Sequence, residues 1–247
     1  MKPLPHCVAG IGNDVGQSPA CTGDNPCCAG LHCHVRRLAR HQHAFLQNDR
    51  QTHVHWVRSG LLRLYKGLAN GRRQIVGFAF PGDFVGLGGE ARYRFSAQAI
   101  GPTELRVMPR AVFEGMAAGD SRFSSKLYQA VSADLRRTHD LALTVGQRDS
   151  ESSLAAFLLE MHARTNSDAR MLSLQMPRSD IADYLGVTTE TVSRTFSKFR
   201  KRGLVDLHGR RGIYLKDFPA LERLAEGLVD KRSARLLPAR NRRFQDS

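Results

Sequence analysis

The sequence predicts a mixed α+β chain: a small antiparallel β-barrel or sandwich, then one long helix, then a C-terminal winged helix-turn-helix. Three observations carry that expectation. Short glycine-punctuated apolar runs give way near Ser121 to apolar residues recurring every three to four positions, a change of period from strand to helix. Residues 178–216 hold a short helical pattern, a glycine, a second helical pattern and a basic hairpin in fewer than forty positions. The positive charge is concentrated in the C-terminal third.

In chain order, residues 1–33 read as a flexible tail, rich in Gly, Pro and Asn, without periodicity and holding all five cysteines. Residues 34–120 read as the β-domain. Leu61-Leu62-Arg63-Leu64-Tyr65 and Gln74-Ile75-Val76-Gly77-Phe78 are strand-like, and Asn70-Gly71 between them accepts the positive φ of a hairpin turn. Pro81-Gly82-Asp83 closes the second run with turn chemistry.

Residues 121–147 read as a helix of about seven turns. Its stripe of Leu127, Val131, Leu135, Ala142 and Val145 can pack on its own barrel or against a second copy. A helix this long outruns a small barrel, so a dimer seam is expected. Residues 148–219 follow as the DNA-binding domain, opened by a helix with Leu154, Phe157, Leu158 and Met161 on one face. Residues 220–247 form a terminal helix and basic tail.

Within the third domain, Ile181, Ala182 and Leu185 form the inner face of a short helix, and Gly186 permits the tight turn. Thr188 stands where an N-cap is wanted, and Val187 and Val192 occupy the positions of a hydrophobic staple. The next helix turns Val192, Phe196 and Phe199 inward, and Glu190, Ser193, Arg194, Ser197 and Lys198 outward. An arginine can donate two hydrogen bonds to guanine O6 and N7, and a carboxylate can accept from cytosine N4. The same Glu190–Arg194 spacing also suits an exposed i,i+4 ion pair with no nucleic acid at all. The residues beyond that helix favour DNA: Gly203 ends it, and a hairpin over 204–215 carries Arg210 and Arg211 at its tip, chemistry suited to phosphate.

The chain has 247 residues, 37 Lys+Arg against 23 Asp+Glu and a formal net charge of +14, which points to a polyanionic partner. Hydrophobic content of 41% and charged content of 24% exclude wholesale disorder. No apolar run reaches the roughly 18 residues of a membrane span, and residues 1–20 lack a signal-peptide core, so a cytoplasmic location without membrane association is expected. P-loop, G-x-S-x-G, H-E-x-x-H and Rossmann fingerprints are all missing, which argues against an enzyme. His41, His43, His53 and His55 alternate as barrel-surface residues would. The residues from Lys231 to Arg243 add a basic extension suited to salt-sensitive, sequence-independent affinity. A non-specific nucleic-acid-binding protein is the competing reading.

Leu62-Arg63-Leu64-Tyr65-Lys66, residues 71–78 and Pro81-Gly82-Asp83-Phe84-Val85-Gly86 resemble the sensor barrel of CRP/FNR-type transcription regulators. Residues 180–186, followed by Glu190-Thr191-Val192-Ser193-Arg194, resemble the FNR/FixK branch. The resemblance spans about residues 34–217. It implies a β-roll of the cupin-like, cyclic-nucleotide-binding type, a dimerisation helix, and a homodimer on a TTGAT-like inverted repeat. It also implies Glu190, Ser193 and Arg194 as base-reading residues, with RNA polymerase as a partner. Arg178, Thr188, Thr189, Ser197, Lys198, Arg210 and Arg211 are the expected backbone-contacting and supporting residues.

The resemblance says less about the signal, for which oxygen limitation or redox state is the expectation, sensed directly or through upstream control. Gly89-Glu90 matches the start of a cyclic-nucleotide signature, but Arg94 comes too soon to complete the phosphate cradle. Cys21, Cys27, Cys28 and Cys33 have a C-x5-C-C-x4-C spacing that differs from that of FNR-type [4Fe–4S] proteins. Arg106 stands where the barrel would supply a fourth cysteine. A regulator without a cluster, an atypical [4Fe–4S] or other metal cluster on those cysteines, and a cyclic-nucleotide-responsive regulator are the three readings of the input.

Overall fold

The computed structural model describes residues 33–226, apart from 70, 89–90, 147–148, 166–169 and 210. They fall into two compact units. One runs to Leu143 and takes in Gln175–Thr189; the other comprises Thr144–Leu174 and the chain from Glu190 onward.

In the first unit, β1 (His34–Leu38), β2 (His43–Phe45), β3 (His53–Ser59), β4 (Leu62–Gly67), β5 (Arg73–Ala79), β6 (Phe84–Val85), β7 (Ser96–Ala99) and β8 (Thr103–Pro109) build two four-stranded sheets. Their strand orders are β1-β8-β3-β6 and β2-β7-β4-β5, with antiparallel pairing throughout. Leu38, Phe45, Val57, Leu62, Ala79, Val85, Ala97, Ala99, Leu105 and Val107 bring both sheets into one apolar core. The expected hairpin is present, with Leu62 opposite Ala79, and Gly71 has φ +77°. Gly60 turns β3 into β4 at φ +87°, where a Cβ would come within 2.5 Å of the Pro102 carbonyl oxygen, so only glycine fits.

Two helices come next. α1 (Arg110–Gly119) and the start of α2 (Ser121–Gly146) pack Phe113 and Phe123 against Val54, Phe84 and Met108, on the far side of the sheet from the barrel core. Asp120 separates them, its Oδ1 accepting from the backbone N–H of Arg122 (2.9 Å) and Phe123 (3.2 Å). Strand β3 is therefore covered on both faces. That corrects the surface expectation for His55, which is 3% exposed and lies against Phe45 and Tyr93. Its Nδ1 has no hydrogen-bond partner, and its pKa is lowered to about 4 by burial first and then by the charges of Arg36, His53 and His34. The unit ends with α4 (Arg178–Leu185), closed by Gly186 in the left-handed conformation at φ +69°.

The second unit holds α3 (Ser150–Arg164), β9 (Met171–Ser173), α5 (Thr189–Lys201, from Glu190), β10 (Val205–His208), β11 (Gly212–Leu215) and α6 (Phe218–Ala225). Asp149 caps α3, and Leu154, Ala155, Phe157, Leu158 and Met161 are buried along it. Helix α6 packs on α3, with the Phe218 ring 4.7 Å from His162. The strands form one sheet in the order β10-β11-β9. Among the described residues, no helix is long and apolar enough to cross a membrane.

Candidate nucleic-acid interface

Helix α5 is amphipathic by sequence. Val192, Thr195, Phe196 and Phe199, at steps of three, one and three, are buried along one side. This leaves Glu190, Arg194, Ser197, Lys198 and Lys201 exposed on the other, with Ser193 half-buried beside them. The six outline a shallow open concavity. A surface of this charge and shape can lie along a DNA groove, because it offers a carboxylate acceptor, two hydroxyls and three cationic donors on an open helix face.

Glu190 and Arg194 form an i,i+4 ion pair of 2.6 Å, with side chains 70% and 76% exposed. Such an exposed pair contributes only about 0.3–0.5 kcal/mol, so exchanging it for base edges costs little. One turn further on, Glu151 of α3 accepts from Lys198 Nζ at 3.1 Å and Arg202 Nη1 at 2.6 Å. Ser150 Oγ accepts from Thr195 at 3.4 Å. The N-terminal turn of α3 thus grips the C-terminal half of α5. Sequence reading missed this role of Glu151, and the separation from Lys198 leaves no local signal that would have shown it.

The hairpin β10–β11 pairs Val205 with Leu215 and His208 with Gly212, and β9 adds a third strand on β11. Arg211 is exposed at its tip, whereas Arg210 lies outside the described residues. Arg178, Thr188 and Thr189 are exposed and belong to the first unit. In α2, Leu127 packs with Phe123 on the barrel, whereas Val131 (47%), Leu135 (55%), Tyr128 (75%) and Ala142 are exposed. The side chain of Val145 lies outside those described.

Cys21, Cys27 and Cys28 lie outside the described residues, as do Gly89 and Glu90; Cys33 is half-buried just ahead of β1. Arg106 is half-buried on β8, and a guanidinium at that position does not fit the role of a thiolate ligand.

Comparison with known proteins agrees with this geometry. Residues 35–120 match the cyclic nucleotide-binding domain, and residues 152–224 the Crp-like helix-turn-helix domain. The chain is 39% identical over 185 residues to the nitrogen fixation regulation protein FixK of Bradyrhizobium diazoefficiens, covering 73% of this chain and 77% of that one. It is 36% identical over 201 residues to the transcriptional activatory protein AadR of Rhodopseudomonas palustris, covering 77% and 84%. The solved structure of FixK2 from Bradyrhizobium japonicum aligns at 35% identity with a TM-score of 0.73, covering 78% of this chain and 98% of that one. These relatives are regulators of transcription rather than enzymes, and the chain belongs to the CRP/FNR family of DNA-binding transcription regulators, in its FixK-like branch.

Proposed function

We propose that the chain acts as a homodimer in the cytoplasm, binding an inverted repeat of TTGAT-like half-sites and acting with RNA polymerase. Glu190, Ser193 and Arg194 read bases. Arg178, Thr188, Thr189, Ser197, Lys198, Arg210 and Arg211 contact or support the phosphate backbone. The observation that carries the reading is the solvent-exposed Glu190–Arg194 pair on α5, a carboxylate acceptor and a two-pronged donor held side by side.

The seam is Val131, Leu135, Ala142 and Val145 of α2, with Leu127 at its barrel end. The exposed Tyr128, Val131 and Leu135 support it, since apolar side chains on one helix face call for a partner. The input is oxygen limitation or redox state, directly or through upstream control. The half-buried Arg106 on β8 favours a regulator that holds no four-cysteine cluster.

Sedimentation combined with selection of binding sites from a random duplex pool tests the proposal. A species of twice the chain mass that enriches a TTGAT-like inverted repeat, at least about a thousandfold over random duplex, is expected. A monomer, or equal retention of all sequences, contradicts it.

A further inference from the structure

Two cations at the C-terminal half of α5 share one carboxylate that belongs to another helix, all within the second unit. Lys198 lines the concavity, and Arg202 lies just past the end of α5. They stand four residues apart, so both leave the same side of the helix. Glu151 accepts from both, Oε1 from Lys198 Nζ at 3.1 Å and Oε2 from Arg202 Nη1 at 2.6 Å. Two like charges at that spacing repel each other; the carboxylate between them removes the repulsion and cancels one of the two positive charges.

The carboxylate is itself held in place. Asp149 Oδ1 accepts from the Glu151 backbone N–H at 3.1 Å, and Asp149 Oδ2 accepts from Ser152 Oγ at 2.9 Å. Ser153 Oγ donates to the Asp149 carbonyl at 3.0 Å, and the buried Thr195 donates to Ser150 Oγ. The Glu151 side chain is only 19% exposed, whereas those of Lys198 and Arg202 are 61% and 47% exposed. An anchored anion thus holds two cations that face water. A DNA phosphate offers those cations the same chemistry, an anionic oxygen for a lysine and an arginine, so the two anions compete for the same donors.

We infer that Glu151 is a specificity-determining residue: it acts as an internal phosphate mimic that withholds Lys198 and Arg202 from DNA of arbitrary sequence. The inference rests on the sequence-reading role proposed for α5. Sequence-independent affinity comes from cations that displace counterions from the phosphates, and two cations that share a carboxylate displace fewer. On a selected site the balance differs, because base contacts hold α5 in one register. There a Lys198 ammonium already held in one direction loses less rotamer freedom on meeting a phosphate, which offsets the charge cancelled by Glu151. Glu151 therefore lowers affinity for random duplex more than affinity for the selected site.

The test uses the full chain and two duplexes, an inverted repeat selected from a random pool and a random sequence, each titrated at several salt concentrations. Glu151→Gln keeps the shape of the side chain and removes its charge. It is expected to bind random duplex about tenfold more tightly, with a salt slope steeper by about one per chain, and to stay within about twofold of wild type on the selected repeat. Glu222→Gln, at an exposed position of α6, makes the same change in net charge and is expected to leave both affinities within about twofold. Glu151→Asp keeps the charge but is one methylene shorter, too short to span both donors. It should shift random-duplex binding in the same direction by a smaller factor, and it carries the test if melting curves show that Glu151→Gln does not fold. An equal gain on both duplexes overturns the inference, since it marks net charge alone. So does unchanged binding to random duplex, or an equal loss on both duplexes with a lowered melting temperature, which marks a purely structural role. A wild type that does not distinguish the repeat from random duplex refutes the sequence-reading role before any variant is compared, and the inference falls with it.

Discussion

Two arginine–carboxylate contacts in this molecule have nearly the same length and opposite surroundings. Arg63 meets Asp180 at 2.8 Å with side chains 7% and 0% exposed; Arg194 meets Glu190 at 2.6 Å with side chains 76% and 70% exposed. Distance does not separate them, but water does. Between β4 and α4, loss of Asp180 strands the Arg63 charge in a dry site, so the pair persists and holds backbone in place. On α5, water competes for both groups, so the pair is weak enough for a nucleic acid to replace it. The same chemistry is a fastener in one region and an open hand in the other.

The largest predicted effect is at the dry end. Asp180→Ala leaves the buried Arg63 without its carboxylate, while Arg73 keeps only Asp183. It is expected to lower the unfolding free energy by about 3–5 kcal/mol, against less than about 0.5 kcal/mol for Glu190→Ala. Urea denaturation of both variants measures this, and equal losses would erase the contrast.

The buried His55 extends the contrast to pH. Its folded pKa of about 4 lies below its ordinary 6.5, so the folded state resists a proton that the unfolded chain accepts. Its contribution is complete above pH 6.5, declines as the pH falls through 6.5, and is lost by about pH 4, a cost of about 3 kcal/mol. Denaturation of wild type and His55→Phe across that range should show the wild-type curve falling more steeply. Parallel curves would mean that His55 is not held neutral.

The smallest effect belongs to the exposed wing. Arg211→Ala should weaken binding alike on every sequence and reduce the salt slope by about one. A loss confined to one sequence would reassign Arg211 to base reading.

Sequence separation decides how much of this was legible beforehand. Helix α4, the Gly186 turn, α5 and the wing are specified by neighbours, because caps, glycines and apolar steps act over a few residues. The β4–β5 hairpin was readable from Asn70-Gly71 for the same reason. Helix α1 was not: residues 110–119 fell inside the stretch 34–120 read as β-domain, and a ten-residue helix with Phe113 as its one buried residue gives little periodic signal. Strand β9 is three residues long, and its alternation of exposed and buried residues takes its meaning from β11, some forty positions away. The buried contact of Asp180 was hidden more deeply. In sequence it is an ordinary acidic residue at a helix start, and its partner Arg63 lies 117 positions earlier. His55 misled because alternation indicates a solvent-facing side only where one face of the strand is bare.

The central claim is that α5 reads sequence through Glu190 and Arg194, and Arg194→Ala tests it most directly. Equilibrium binding of wild type and variant is measured on the selected inverted repeat, on the same repeat with the contacted guanine replaced, and on random duplex. The account predicts that the variant loses about 1–3 kcal/mol on the selected site, little on random DNA, and most of its discrimination at that guanine. An equal loss on all three duplexes, with discrimination intact, would contradict it.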